Sequence, residues 1–185
     1  TCELFGANQL FTALSGALDG RVRVQRVPCV GRCDQAPVAV VGQRPVPRAK
    51  VDMVKALIDD GRQTFESSND WIGLADYRQQ GGYLLYQQCH DGSCDPEVII
   101  SALESSGLRG LGGAGFPAGR KWRILKEQSS PRLMAVNIDE GEPGTFKDRV
   151  YLERDPHRFL AGMLIAAKVV GIDACYLYVR DEYPG

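Results

Sequence analysis

Hydrophobic side chains recur with two different periods in the first third of the chain. In residues 6–18 they recur every three or four positions, which predicts a helix with one apolar face. In residues 21–27 apolar and polar residues alternate, which predicts a half-buried strand. A short apolar run at 38–42 predicts a second strand, and the helical spacing returns over 49–60 and stops at Gly61.

From residue 95 onward, helical and strand patterns alternate. Asp95 followed by Pro96 is a favourable helix start, and the apolar spacing then continues to Gly107. Further helices are predicted at 119–128 and from 156 to Val170, and strands at 133–138 and 174–179. Strands that alternate with helices of this length indicate an α/β fold.

The segment between these two regions is polar and carries no sustained period. It contains Gly81-Gly82 and scattered tyrosines, and only residues 73–79 have the spacing of a short helix. We therefore predict three parts: a small module at 1–61, a linker at 62–94, and an α/β domain at 95–185.

Composition excludes several classes of protein. Lys and Arg number 22 and Asp and Glu 23, so the formal charge is −1, without the basic excess of a nucleic-acid-binding protein. The longest apolar run, 159–170, contains Lys168 and is shorter than the roughly 20 residues of a membrane span, so we expect no insertion into a membrane. The chain begins at Thr1 without a signal-peptide pattern. We expect a cytoplasmic protein of which this sequence is a fragment or a processed form.

Glycine is the compositional outlier, with 21 residues in 185. Many lie in one loop, Gly107–Pro117, with the sequence GLRGLGGAGFP. The spacing Gly110, Gly112, Gly115 matches G-x-G-x-x-G, but a helix precedes the loop where a Rossmann fingerprint requires a strand. A protein-kinase loop is excluded because no D-F-G sequence follows. Backbone without side chains can still approach an anion or a flat ring closely, so we predict a ligand-binding loop, a tight structural turn being the alternative.

Basic residues follow this glycine loop at once. The predicted helix near 119 presents its positive end to the loop, and Arg120, Lys121 and Arg123 lie in its first turns. Such residues suit a phosphate or an anionic ring, and a solvated helix face is the alternative for each.

A second candidate loop follows the strand at 133–138. Asn137 and Asp139–Asp148, with the sequence DEGEPGTFKD, place hydrogen-bonding oxygens directly after an apolar strand. Ligands of open α/β sheets bind beyond the carboxyl ends of strands. We call 139–148 the acidic loop and expect it to face a ligand, with an ordinary surface loop as the alternative for Glu140.

These two loops together resemble a known family. GLRGLGGAGFPAGRKW followed by NIDEGEPGTFKDR is similar to the flavin-binding, 51-kDa-type subunits of respiratory NADH dehydrogenase and the diaphorase subunits of NAD-reducing hydrogenases and formate dehydrogenases. The resemblance covers about residues 96–185. It implies that the two loops enclose FMN, that NAD(H) stacks on the flavin, and that a 4Fe–4S cluster is bound by cysteines beyond Gly185.

Site residues can be carried over from this resemblance position by position. Phe116 matches an aromatic residue associated with the nucleotide. Asn137, Asp139 and Glu140 match residues near the flavin ring and nicotinamide, and Glu140 is the catalytic candidate, positioning the nicotinamide or its hydrating water. Leu111 stands where the family usually has Arg, which puts one charged contact in doubt. The residues that match the flavin-contacting loop are Gly110, Gly112, Gly113, Gly115 and Lys121.

Residues 1–60 resemble the C-terminal half of a thioredoxin-like 2Fe–2S ferredoxin of the 24-kDa type. The later cysteine pair of that domain corresponds to Cys29 and Cys33 in PCVGRCDQAP. A 2Fe–2S cluster takes four thiolates, so the resemblance leaves open a bound cluster or a degenerate domain that serves for docking. Cys89 and Cys94 also have a ligand-like spacing, and Cys175 is expected in the core of a strand.

Fusion of the two modules is typical of hydrogenase diaphorases and formate dehydrogenase β subunits. With Leu111 and Arg120, the glycine loop resembles the formate dehydrogenase branch more closely. The resemblance implies hydride transfer between NAD(H) and FMN, with a ferredoxin-like subunit and a formate-oxidising subunit as partners, while the charge balance predicts no contact with nucleic acid. The alternatives are the diaphorase of an NAD-reducing hydrogenase, a complex I-type subunit, and a non-catalytic docking module.

Overall fold

The computed structural model describes residues 1–61, 70–180 and 183. The chain divides into two compact units. The first comprises Thr1–Asn69, Ile138–Val150 and Val179–Gly185, and the second comprises Asp70–Asn137 and Tyr151–Tyr178. Of the predicted linker at 62–94, residues 62–69 lie outside the described residues.

The first unit is built on two helices and a hairpin. Helix α1 is Ala7–Ala17 and helix α2 is Val51–Asp60. Strand β1, Ala39–Val41, pairs antiparallel with β2, Arg44–Val46. Buried residues from these elements and their flanks form one apolar cluster, which consists of Leu14, Leu18, Val46, Ala49 and Val54.

The strand predicted at 21–27 is wrong. These residues take no strand pairing, and Val22 and Val27 are 37% and 58% exposed. Alternating hydrophobicity stabilises a strand only where a neighbouring strand accepts its hydrogen bonds, and within the described residues of this unit β1 and β2 pair only with each other. Strand β2 was not predicted because Pro45 indicated a break, yet proline is tolerated in an edge strand.

The second unit is mainly helical. Its helices include α3, Leu74–Gln79, α4, Leu84–Asp91, α5, Pro96–Ser105, and α6, Ala118–Lys126. Helices α4, α5 and α6 all pack against the long helix α8, Pro156–Val170. The fully buried core is formed by Cys89, Ile100 and Val169. Helix α4 lies within the segment expected to be a linker, and its largely polar sequence hides the helical period.

Two strands and one further helix complete the order of elements. Strand β3 is Leu133–Ile138 and β4 is Ala174–Val179, as the sequence predicts, and they are neighbours in one sheet. Helix α7, Lys147–Arg154, begins inside the predicted acidic loop. The α/β fold class is therefore confirmed.

The predicted helix ends are confirmed where a side chain or a glycine defines them. The Asp95 carboxylate accepts a hydrogen bond from the Glu97 N–H at 2.8 Å, and the Asp155 carboxylate accepts one from the Arg158 N–H at 3.3 Å. Gly171 ends α8 with φ of 73°.

The connection between α3 and α4 depends on a glycine that precedes a strained tyrosine. A side chain at Gly82 would overlap the Tyr77 ring. Tyr83 takes φ of 65°, a left-handed conformation that is unfavourable for a bulky residue. Its hydroxyl lies 3.0 Å from Nδ1 of His157 on α8, so this conformation ties α3, α4 and α8 together.

Two expectations about cysteines change with the structure. Cys175 was expected in the core but is exposed, because every residue of β4 after Ala174 is exposed in the described chain. Cys89 and Cys94 lie in the helical core of the second unit, where burial raises the pKa of the Cys89 thiol. Apolar packing accounts for both.

Among the described helices, none combines the length and the hydropathy that a bilayer crossing requires.

Candidate functional site

The glycine loop is a closed turn with a projecting tip. The Gly110 N–H donates to the Phe116 carbonyl at 2.9 Å, and the Ala118 N–H donates to the Leu108 carbonyl at 2.9 Å. The Arg109 guanidinium donates to the Gly115 carbonyl at 2.9 Å and fastens the far side of the loop. These bonds hold the ends of the loop and leave residues 111–115 outside any regular element.

The tip of the glycine loop is bordered by open space. A Cβ atom built on Gly112, Gly113 or Gly115 would meet no heavy atom within 4 Å. Gly113 and Gly115 have φ of 96° and 59°, conformations that other residues rarely adopt. The neighbouring Leu111 is 96% exposed. The glycines therefore do not serve internal packing, and the backbone of the loop tip is open to close approach by a ligand.

Helix α6 begins directly after this loop and adds an aromatic ring and two cations. Phe116 is 44% exposed, and the Arg120 guanidinium lies 5.9 Å from its ring centroid. Lys121 is exposed one residue further on. The first turn of a helix also presents unpaired N–H groups, which favour anions.

Arg123 does not lie with Arg120 and Lys121 beside the glycine loop, so the prediction that it suits a phosphate is corrected. It forms ion pairs with Glu104 at 2.7 Å and Glu97 at 2.6 Å, both on α5. These contacts hold its guanidinium against α5. Arg123 therefore fastens two helices of the second unit, and its role as a phosphate ligand is withdrawn.

Gly119 is a structural residue that the sequence did not single out. A Cβ atom on Gly119 would lie 2.5 Å from the backbone N of Glu104. The contact of α5 with α6 therefore requires a residue without a side chain at this position. Only the packing of the two helices reveals this, because one glycine among many carries no distinguishing pattern.

Glu140, the predicted catalytic residue, lies in the first unit with its side chain only 1% exposed. Its carboxylate accepts hydrogen bonds from the N–H groups of Asp148 at 2.9 Å and Arg149 at 3.2 Å. It also accepts one from the Tyr183 hydroxyl at 2.8 Å. Asp148 and Arg149 lie in the first turn of α7, so Glu140 caps that helix across the acidic loop.

The electrostatics of Glu140 follow from these contacts. Burial by itself raises the pKa of the carboxyl, but the hydrogen bonds from Asp148, Tyr183 and Arg149 and the charge of Lys147 outweigh it, so the pKa is lowered. Its φ of 45° adds backbone strain that the surrounding contacts offset. Glu140 is thus a fixed anion at neutral pH. Of the other predicted residues at this loop, Asn137 is exposed and Asp139 is half-buried.

Cys29 and Cys33 form the second candidate site, and they also lie in the first unit. Their Sγ atoms are 3.6 Å apart, and both cysteines are free thiols. Two sulfurs bound to one tetrahedral metal at about 2.3 Å would be separated by about 3.8 Å. The thiols therefore already stand at the spacing of one metal's ligands.

The two thiols have different environments. Burial raises the pKa of Cys33, but hydrogen bonds with the Gly144 N–H at 3.2 Å, with Cys29 and with the Thr1 side chain, together with the charge of the N-terminal amine, outweigh it, so its pKa is lowered. Burial raises the pKa of Cys29, and the neighbouring Cys33 raises it further. One thiol of the pair is thus held ready to be a thiolate, the form that binds a metal.

Two arginines hold the cysteine loop, residues 28–37, and sequence reasoning gave them no role. Arg149 is 4% exposed, and it donates to the Gly31 carbonyl at 3.1 Å and to the Asp34 carboxylate at 2.5 Å. Arg180 donates to the Cys29 carbonyl and, at 3.0 Å, to the Glu140 carbonyl. More than 100 residues separate each arginine from the cysteine loop along the chain, so no local pattern could reveal these contacts.

The described residues supply half of a four-thiolate ligand set. No group of three or more potential metal ligands occurs within 1–61, 70–180 and 183. Cys29 and Cys33 fit one iron of a two-iron cluster by their separation, since each iron of such a cluster takes two protein sulfurs.

Comparison with known proteins identifies both regions of the chain. Residues 103–185 match the family model described as Nuo51 FMN-binding domain, and residues 1–62 match the one described as thioredoxin-like [2Fe-2S] ferredoxin. Both resemblances and the order of the two modules are therefore confirmed. FMN and the 2Fe–2S group, two of the expected cofactors, are the ones that these descriptions name.

Curated relatives match part of the chain. An NADH-quinone oxidoreductase subunit of Aquifex aeolicus is 45% identical over 111 residues, which are 60% of this chain and 26% of the relative. The mitochondrial NADH-ubiquinone oxidoreductase 51 kDa subunit of Neurospora crassa is 46% identical over 90 residues, which are 46% of this chain and 18% of the relative. The chain thus spans about a quarter of the length of these relatives, or less.

A solved structure matches nearly the whole chain. It is described as the crystal structure of NAD+-reducing [NiFe]-hydrogenase in the air-oxidized state. It is 34% identical, with a TM-score of 0.74, and covers 98% of this chain and 36% of the other. Both modules of this chain therefore have counterparts within one chain of that enzyme.

Proposed function

We propose that the chain is part of a diaphorase subunit that transfers electrons between NAD(H) and iron–sulfur groups through FMN. The observation that carries the proposal is the glycine loop, whose tip borders open space directly before α6, within the segment that matches an FMN-binding domain. Bound FMN would exchange a hydride with NAD(H) and single electrons with iron–sulfur groups.

The residues of the glycine loop have distinct parts in this proposal. Gly112, Gly113 and Gly115 let the backbone approach the ring and phosphate of the flavin. Lys121 and the first turn of α6 favour the negative charge of the phosphate or of the reduced ring. Phe116, with Arg120 near its ring, offers an exposed aromatic surface to a nucleotide.

Glu140 takes a role in this proposal that differs from direct contact with substrate. The sequence-based hypothesis, that it positions the nicotinamide or its hydrating water, stays a prediction. The contacts of its carboxylate support a positioning role, because they fix the acidic loop at the start of α7. Asn137 and Asp139 stay candidates for contacts with the flavin ring and the nicotinamide.

Cys29 and Cys33 would hold one iron of a 2Fe–2S cluster. Their spacing and the lowered pKa of Cys33 support this part of the proposal. The two remaining thiolates and the ligands of a 4Fe–4S cluster would come from outside the described residues. A docking module without cofactor is the competing proposal.

The proposed reaction has two candidate partner subunits. The sequence favours a formate-oxidising subunit, through Leu111 and Arg120. The match of both modules to one chain of a NAD+-reducing hydrogenase favours a hydrogen-oxidising partner. A ferredoxin-like 2Fe–2S subunit belongs to either assembly, and a cytoplasmic location stays a prediction.

The reaction can be tested on the full-length chain and its co-purified subunits. Bound flavin should be released as FMN on denaturation, and NADH should reduce an artificial dye. Reduction of NAD+ by formate or by hydrogen in the purified complex would then identify the partner. Lys121→Met should weaken FMN retention, whereas the matched Lys126→Met, at the other end of α6, should not. A full-length chain that retains no flavin would contradict the diaphorase proposal and favour the docking module.

A further inference from the structure

The EPGT sequence of the acidic loop forms a turn that directs a backbone donor away from the turn itself. The Thr145 N–H and hydroxyl both donate to the Glu142 carbonyl, at 3.1 and 2.6 Å. Proline at the second position and φ of 96° at Gly144 in the third are features of a type II turn. In such a turn the N–H of the third residue is not used by the turn and is available to another acceptor.

That acceptor is the sulfur of Cys33. The Gly144 N lies 3.2 Å from Cys33 Sγ, and 111 residues separate the two along the chain. The contact joins the segment that matches the flavin domain to the segment that matches the ferredoxin, inside one compact unit.

Side chains on both flanks of the turn keep it at the cysteine loop. Arg149 follows the turn and donates to Gly31 and Asp34, while Glu140 precedes it and is held through its carbonyl by Arg180. Gly31 is packed so closely that a Cβ atom there would lie 2.6 Å from the Tyr183 ring. The position of the Gly144 N–H is thus fixed by buried contacts and does not depend on the turn alone.

We propose that Gly144 is a positioning residue for Cys33. The backbone N–H of Gly144 orients the Cys33 sulfur and tunes the reduction potential of the metal group that Cys29 and Cys33 hold. The metal part of this inference rests on the proposed function. Hydrogen bonds to cluster sulfurs are among the features that set the potentials of iron–sulfur groups. A donated N–H stabilises the more negative, reduced form, so the contact should raise the reduction potential.

The hydrogen bond can be tested without any cofactor. In the metal-free, reduced full-length chain with glycine-selective ¹⁵N labelling, the Gly144 amide should exchange with deuterium slowly. It should exchange at least tenfold faster in Cys33→Ala, and Cys33→Ser, which retains an acceptor, should restore part of the protection. The Gly141 amide of the same loop is the internal control. Equal exchange of the Gly144 amide in all three proteins would overturn the inference.

The tuning is tested on the cluster-loaded chain by removing only the N–H. Replacement of the amide at Gly144 by an ester, through incorporation of glycolic acid, removes the donor and keeps the turn without a side chain. The reduction potential should fall so that the reduced-to-oxidised ratio at a fixed potential changes about tenfold, which is about 59 mV for one electron. The matched ester at Gly141 should leave the potential unchanged.

The outcomes separate this inference from the proposed function. A loaded chain whose potential is the same with either ester would overturn the tuning role while leaving the diaphorase proposal intact. If the wild-type full-length chain takes up no iron–sulfur group, the metal part of the proposed function and the tuning role fail together. The deuterium exchange of Gly144 still decides the orienting role in that case.

Discussion

The glycine loop and the cysteine loop differ in how tightly protein atoms surround them. Around the glycine loop, Leu111 is 96% exposed and a Cβ atom on Gly112 would meet nothing within 4 Å. At the cysteine loop, Arg149 is 4% exposed and the Glu140 side chain 1%. The first region offers open space bordered by backbone, and the second is filled by charged groups bonded to one another.

This difference predicts how each region responds to substitution. A methyl group added at Gly112, whose φ is not positive, has no protein atom to displace, so it should affect a ligand and leave folding unchanged. Removing the buried Arg149 guanidinium beside the cysteine loop leaves the Gly31 carbonyl and the Asp34 carboxylate without their donor, so it should affect folding first. Substitutions of matched size in the two regions should therefore separate the effects of binding from those of stability.

The largest effect is expected from Arg149→Met. The change removes a charge-assisted hydrogen bond to the partly exposed Asp34 carboxylate and a second hydrogen bond to the Gly31 carbonyl, a combined loss of about 2–4 kcal/mol. Hydrogen exchange should show the amides of the cysteine loop opening more readily by this amount. The matched change Arg158→Met removes the ion pair with Asp155 of an arginine whose side chain is 66% exposed, and should have little effect. Equal effects of the two changes would contradict the comparison.

Glu140→Gln should cause the next largest loss of stability, and this loss should depend on pH. The pKa of Glu140 is lowered in the folded protein, so its contribution is present at neutral pH and is lost as the pH falls from about 4.3 through the folded value. At pH 7 we expect a loss of about 1.5–3 kcal/mol, because charge-assisted hydrogen bonds are weakened.

Thermal unfolding from pH 7 down to pH 3 measures this dependence. The wild-type protein should lose stability at acid pH more steeply than Glu140→Gln. The exposed Glu142→Gln, in the same loop, serves as the control and should follow the wild-type curve. Parallel curves for wild type and Glu140→Gln would show that the carboxylate is not a stabilising anion.

Gly119→Ala tests whether close packing also exists next to the glycine loop. Its Cβ atom would lie 2.5 Å from the Glu104 N, and overpacking of this kind costs about 1–3 kcal/mol. Gly162→Ala, in α8, meets nothing within 4 Å and should stabilise the helix by up to about 1 kcal/mol. Chemical unfolding of the two variants should therefore give changes of opposite sign, and the same sign would contradict the packing argument.

The smallest effect on stability, with a clear effect on binding, is expected from Gly112→Ala. The added methyl group occupies the open space beside the loop, so stability should change by less than about 0.5 kcal/mol. FMN affinity of the full-length chain should fall about tenfold, a loss of about 1.4 kcal/mol. Gly16→Ala, in α1, also meets nothing within 4 Å and should leave the affinity unchanged. Unchanged FMN titrations for Gly112→Ala would remove this glycine from the proposed site.

Local patterns predicted the elements that local forces fix. Strand β3 has the predicted bounds, and α5 and α8 begin after the predicted aspartates, because a cap and an apolar period act within a few residues. The strand expected at 21–27 failed because a strand needs a neighbour that its own sequence does not specify. Helix α4 was not predicted, because its own hydrophobic period is weak and its packing on α8 stabilises it.

The candidate site divides in the same manner. Composition and spacing located the glycine loop and the acidic loop, since each is a dense local run of unusual residues, and the resemblance to a thioredoxin-like ferredoxin located the pair Cys29 and Cys33. The direction of the Glu140 carboxylate into α7, and the engagement of Arg123 with α5, were not predictable. Each depends on which distant backbone or side chain lies within hydrogen-bond distance.

The sequence by itself therefore determined the order of the two modules, most helix ends and the residues whose chemistry suits a binding site. Only the tertiary structure decided that Gly144 meets Cys33 and that Arg149 and Arg180 reach the cysteine loop. Helix capping, glycine conformations and hydrophobic periods act over a few residues and are written locally. Contacts between residues 111 or more positions apart depend on how complete elements pack, and no single segment records them.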